Sequence, residues 1–150
     1  MELYDRAIAL NPSSAQALTL RGWALASAGH SEEAIKLLRQ ARRLSPVDPE
    51  AFFTMSAMGF AYMMAGRFGE ALDWTRRALR ERPTFAPALR FQAVSLAELG
   101  RIEEARETVT RLLELEPNLT LAVLHRRAPI GNSRLMNLFL NGLRKAGLPE

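Results

Sequence analysis

The sequence predicts an all-α solenoid: antiparallel helix pairs stacked in series and closed by a helical C-terminal cap. Three observations carry this. Prolines recur at Pro12, Pro46, Pro83 and Pro117, with spacings of 34, 37 and 34. Glycines recur at Gly29, Gly66 and Gly100, with spacings of 37 and 34. Alanines at Ala34, Ala71 and Ala105 keep the same register. A period of this length marks an array of two-helix units, each too small to bury its apolar face alone.

The elements follow in chain order. Residues 1–14 read as half a unit, because Leu3, Tyr4, Ala7, Ile8 and Pro12 align with the second helix of a pair whose first helix is missing. A lone second helix leaves apolar surface uncovered. The expectation is therefore that the chain is cut from a longer protein, or that Leu3, Tyr4 and Ile8 form an edge that pairs two copies into a homodimer. Residues 15–48 form the first full unit. Leu18, Leu20, Trp23, Ala24 and Leu25 recur at helical spacing and lead to Gly29. That glycine is suited to the left-handed backbone that ends a helix. Glu32 and Glu33 then open a second helix at its positive end, and Pro46 ends it. Residues 49–85 and 86–117 repeat this plan around Gly66, Glu70 and Pro83, and around Gly100, Glu103, Glu104 and Pro117. Small residues at Gly22, Gly59 and Ala93 allow paired helices to approach closely. The second unit carries three extra residues. Asp48, Pro49 and Glu50 read there as an N-cap, a first-turn proline and an early acid, which predicts one extra helical turn. Residues 118–150 form the cap. A short helix over Leu119–Leu124 ends near Arg126-Arg127-Ala128-Pro129, and a last helix capped by Asn132 or Ser133 carries Leu135, Met136, Leu138, Phe139, Leu140 and Leu143.

This pattern resembles the tetratricopeptide repeat. Gly22, Ala34, Ala41 and Pro46 match its small-residue and proline positions in the first unit. Gly59, Tyr62, Ala71, Ala78 and Pro83 match in the second, and Ala93, Ala105 and Pro117 in the third. Leu18, Met55 and Leu89 stand where the family often has tryptophan, and Leu112 replaces the third alanine. The resemblance covers about residues 1–117. It implies a right-handed superhelix in which the first helix of each pair lines a concave groove. The tail Gly142–Glu150, with Arg43–Pro49 and Arg80–Pro83, is similar to something narrower. It matches the C-terminal region of bacterial signalling proteins whose repeats follow a class III adenylate cyclase or winged-helix domain. That likeness spans about residues 40–150 and implies a regulatory module.

Transferring the groove positions gives Gln16, Thr19, Trp23 and Ser27, then Phe53, Ser56, Phe60, Met63 and Met64, then Arg90, Val94, Ala97 and Glu98. The lysine and asparagine clamp with which some relatives grip a chaperone tail is missing: Thr19, Trp23, Ala57, Pro87 and Phe91 occupy it, and only Arg90 suits it. The expected occupant is a protein or peptide offering an amphipathic helix or apolar segment. The chain's own last helix, through Phe139 and Leu143, is one such occupant.

Catalysis has little support. The only histidines, His30 and His125, lie at no metal-ligand spacing, and there is no phosphate loop or nucleophile motif. No catalytic residue, metal or cofactor is expected. The chain has no cysteine, a net charge of +4 and a pI near 10.3. Its cations are eighteen arginines and two lysines. Arg39, Arg42, Arg43, Arg76, Arg77, Arg80 and Arg82 cluster on second helices, on the convex side. Nucleic acid is a disfavoured partner because no recognition helix or stacking platform accompanies them. No segment suits membrane insertion or export, so a cytoplasmic setting is expected, or a periplasmic one if a membrane-tethered sensor carries the module. A protein-interaction and regulatory module is the first reading, a homodimeric scaffold the second and a nucleic-acid-associated factor the third.

Overall fold

The computed structural model describes residues 14–127 and 130–150. The half unit before Ser14, with Leu3, Tyr4 and Ile8, and the Ala128–Pro129 step lie outside the described residues. Among the described residues the regular structure is entirely helical. Three pairs come first: α1 (Ala15–Ser27) with α2 (Ser31–Leu44), α3 (Ala51–Met64) with α4 (Phe68–Glu81), and α5 (Ala86–Glu98) with α6 (Ile102–Leu115). A short α7 (Leu121–Arg127) and a longer α8 (Ser133–Lys145) complete the chain.

Each turn within a pair has one geometry. Gly29, Gly66 and Gly100 take φ of 96°, 77° and 80°, a region that costs a residue with a Cβ about 1–2 kcal/mol. At the first turn the His30 N–H donates to Leu25 O at 2.8 Å and the Gly29 N–H to Ala26 O at 3.1 Å. The same two bonds recur at Arg67 and Gly66, and at Arg101 and Gly100. They satisfy carbonyls that a helix end otherwise leaves unpaired. The step between pairs is equally uniform. Ser45, Arg82 and Glu116 leave the helical region with ψ of 72°, 85° and 77°, because the proline that follows each one disfavours the α conformation before it.

The pairs stack in two layers. First helices pack on one another, α1 on α3 and α3 on α5, while α2 and α4 each wedge against the helices before and after them. Close approach needs missing side chains. A Cβ on Gly22 would fall 2.7 Å from Leu38 Cγ, and one on Gly59 would fall 2.6 Å from Thr75 Cγ2. Ala34, Ala71, Ala93 and Ala105 are fully buried for the same reason.

The three extra residues do not add a full α-helical turn. Helix α3 has 14 residues against 13 in α1 and α5, and most of the addition goes into a wider turn before it. There Asp48 Oδ1 accepts from the Glu50 N–H at 2.8 Å, and the Ala51 N–H donates to Asp48 O at 3.0 Å. Asp48 therefore caps this turn, and Pro49 and Glu50 lie outside the helix.

Helix α8 places an amphipathic stripe on the inner layer. Asn132 is its N-cap, accepting from the Leu135 N–H at 3.1 Å. The helix packs on α5, with Gly142 so close to Val94 that a Cβ would lie 2.6 Å from Cγ1. Phe139 and Leu143 are buried there. Lys145 Nζ meets Glu98 Oε1 at 3.0 Å. After Gly147 (φ 97°) the chain turns back along α7. Pro149 O and Glu150 O accept from the Leu121 and Ala122 N–H groups at 2.8 and 3.2 Å.

Candidate partner-binding groove

A network of seven aromatic rings, with Phe52 meeting Phe85 at 5.1 Å, connects all three repeats and the last helix. Trp23 of α1 stacks on Phe53 and on Phe60 of α3, each at 5.5 Å between centroids, and meets Phe91 of α5 at 5.7 Å. Phe60 and Phe91 lie 4.8 Å apart, Phe91 and Phe139 of α8 lie 6.3 Å apart, and Phe53 meets Phe85 at 6.4 Å. Offset and tilted contacts of this kind contribute about 0.5–1.5 kcal/mol each beyond their burial. Phe60, Phe91 and Phe139 are buried, whereas Trp23, Phe53 and Phe85 remain half-buried, so the cluster surfaces around these three rings.

Beside these rings lies a cavity of about 100 Å³, walled by Trp23, Phe60, Phe91, Leu124, Ile130 and Phe139. Two guanidiniums, Arg90 of α5 and Arg127 of α7, complete the wall. Between them stands one carboxylate: Glu116 Oε1 is 3.4 Å from Arg90 and Oε2 is 3.7 Å from Arg127. Burial pulls the Arg90 pKa below its ordinary value, Glu116 opposes this and Arg127 adds to it. Arginine stays charged throughout the working range, so the wall carries two positive charges against one negative. Gln16, Asp48, Glu50, Phe53 and Thr54 form a separate, open recess at the other end.

The structure distributes the expected groove residues unevenly. Trp23, Phe53, Phe60 and Arg90 converge as described. Gln16 is exposed on the open recess. Thr19 is buried between α1 and α3, where its Oγ1 meets Thr54 Oγ1 and Ala15 O at 2.8 Å each. Ser56 is buried and donates to Phe52 O at 2.7 Å, and Ser27 is buried. Met63, Met64, Val94 and Ala97 are buried as well; Met64 borders a recess with Leu138 and Arg134, and Val94 lies under Gly142. Glu98 is engaged by Lys145. Thr19, Ser27, Ser56, Met63 and Met64 thus pack inside the protein, whereas Gln16 and Glu98 keep exposed surface. Leu124, Arg127 and Ile130 line the same cavity, and Glu116 pairs with its two arginines; none of the four was among the expected groove residues. They sit beyond the repeating register, and the only signal near them was the basic triplet His125-Arg126-Arg127.

The second-helix arginines are largely engaged. Arg42 and Arg77 lie over Trp74 at 4.7 and 4.6 Å, and Arg82 lies over Phe52 at 4.3 Å. Arg39 donates to the Tyr62 hydroxyl at 2.7 Å, and Arg76 pairs with Glu104 at 3.3 Å. Flat, delocalised guanidiniums suit this stacking better than lysine ammonium groups. Among the described residues no His, Cys, Asp or Glu group is placed to hold a metal ion, and no helix is long and apolar enough to cross a membrane.

Helix pairs with a left-handed glycine inside each pair and a proline between pairs define a tetratricopeptide-type solenoid. Sequence models of the tetratricopeptide repeat match residues 2–49 and 62–124, together well over half of the chain, which belongs to that family. Its structure is similar to that of PilW, described as a widely conserved type IV pilus biogenesis factor. The TM-score is 0.69 and the identity 21%, over 92% of this chain and 64% of that one. MamA is also similar, with a TM-score of 0.65 and 19% identity over 95% of this chain and 82% of that one. A further MamA structure, MSR-1 C2, gives a TM-score of 0.59 and 30% identity over 77% and 65%. In sequence, 91 residues are 33% identical to Protein O-mannosyl-transferase TMTC2 of Homo sapiens, covering 59% of this chain and 11% of that protein. The chain therefore spans a small part of that relative and just under two thirds of PilW. Tetratricopeptide modules mediate protein–protein interaction and are typically non-catalytic scaffolds.

Proposed function

We propose that this solenoid is a protein-interaction and regulatory module that holds a segment of a partner on the open, Trp23–Phe53 end of its aromatic groove. The observation that carries this is the half-buried pair itself. These two stacked rings stay partly open to solvent beside a half-buried Phe85, while Phe60, Phe91 and Phe139 are sealed, and such surfaces mark contacts. The larger setting we favour is a bacterial signalling protein with an adenylate cyclase-like or winged-helix domain. The Gly142–Glu150 tail and the basic linkers support that setting by resemblance.

Phe60 is too deeply buried to be a clean probe: an aspartate there would unfold the core before it reported on binding. Phe53 serves better. A photo-crosslinking residue placed at Phe53 should give a discrete partner adduct in cells that make the protein. The same residue at Arg77, on the outer layer, should not, and Trp23→Asp should abolish the Phe53 adduct. Equal adducts from both positions, or none from Phe53, would overturn the reading.

A further inference from the structure

We infer that the open part of the groove takes a second amphipathic helix, supplied by a protein partner and laid alongside α8. This helix presents one aliphatic side chain to the aromatic cavity, a carboxylate on the Arg127 side and a cation on the Asp48–Glu50 side. This rests on the groove reading above and adds the partner's chemistry and direction.

Four features converge on it. The inner layer already accepts a helix: α8 seats Phe139 against Phe91, packs Gly142 on Val94 and pairs Lys145 with Glu98. The cavity of about 100 Å³ is smaller than the roughly 150 Å³ that admits benzene, so it suits a branched aliphatic side chain and not another ring. Aromatic walls alone would suit a cationic head, but Arg90 and Arg127 line the same space and repel one. Those two guanidiniums share a single carboxylate, and Arg127 is 57% exposed, so one anion is still wanted at that wall. At the opposite recess the charge is reversed. Asp48 and Glu50 stand beside Phe53, and neither meets a cation within ion-pair distance among the described residues. A groove that is positive at one end and negative at the other fixes which way a charged helix lies in it.

The test is a displayed library of random peptides of about 16 residues, long enough for four helical turns, selected on the full 150-residue chain. Enriched sequences should carry Leu or Ile with an acid three or four positions to one side and a base to the other. Arg127→Glu should weaken an enriched peptide by about tenfold or more, on the order of one interfacial charge, and exchanging the peptide's acid for lysine should restore binding. Enrichment without the acid–base pattern, or unchanged on Arg127→Glu, would overturn the inference, as would failure to enrich anything or peptides that copy a segment of this chain. The two readings separate through Phe53→Asp. Peptides that lose binding on Phe53→Asp but not on Arg127→Glu leave the groove standing and remove only its polarity. Peptides indifferent to Phe53→Asp bind elsewhere and remove both.

Discussion

Gly59 and Gly66 flank the same helix end for different physical reasons, and substitution tells them apart. Gly59 has an ordinary backbone and no room: an added Cβ would meet Thr75 Cγ2 at 2.6 Å. Gly59→Ala should lower stability by about 1–3 kcal/mol, and Thr75→Ser, which removes that methyl and keeps the hydroxyl's bond to Leu72 O, should recover most of it. Gly66 has room and the wrong backbone for anything else, with φ 77° and nothing within 4 Å. Gly66→Ala should cost about 1–2 kcal/mol with no rescuing partner, and Gly66→Asn less, because asparagine tolerates the left-handed region. Urea midpoints of the four variants check this. A Gly59→Ala protein unaffected by Thr75→Ser would disprove the contact argument. Both glycines were readable from spacing alone, since a tight contact and a left-handed turn each exclude a side chain and so recur with the period. The groove positions were not readable in that way. Helix α3 is apolar almost all round and buried almost throughout from Phe52 to Met64, so periodicity offers no face to choose. Thr19, Ser56 and Met63, expected on the groove, are buried, whereas Trp23 and Phe53 each keep part of a ring uncovered.

At the scale of elements, α8 lies outside the repeating pairs and is held by packing on α5 and α7. Gly142 lies so close to Val94 that an added Cβ would fall 2.6 Å from Cγ1. Gly142→Leu should therefore lift it, so that amides of α8 exchange quickly while those of α1–α4 stay protected. Loss of protection across all helices would show instead that α8 is integral to the fold. The tail that follows has its own lever. The Arg144 guanidinium holds the Glu150 carboxyl below its ordinary range, chiefly through a direct hydrogen bond. A depressed carboxyl stabilises the folded state above its unfolded pKa and loses that contribution as pH falls through the folded one. Exchange at Leu121 and Ala122, whose N–H groups bond to the tail, should accelerate in acid beyond the intrinsic trend, and Glu150→Gln should remove the pH dependence. The sequence showed α8 as an amphipathic helix with a capping asparagine. An apolar stripe says only that a helix must be covered, never by which neighbour, so its seat on α5 required the structure.

Across the whole molecule, a basic chain has spent much of its positive charge on itself. Many guanidiniums are stacked on Trp74 and Phe52 or paired with Glu104 and Glu116, so net charge is a poor guide to the partner. Raising salt from about 0.05 to 0.3 M should change groove-partner affinity only severalfold, since exposed ion pairs add little. Nucleic-acid association would fall by orders of magnitude over that range. A salt titration of both decides which surface matters. The aromatic cluster also gives the molecule its own optical readout. The chain has two indoles, one at the meeting point of three repeats and the groove, the other pinned beneath two guanidiniums on the opposite layer. Light emitted by Trp23 should shift whenever the repeats part or the groove fills, while Trp74 stays constant. The unlabelled protein thus carries both a reporter of its occupancy and the reference against which to read it.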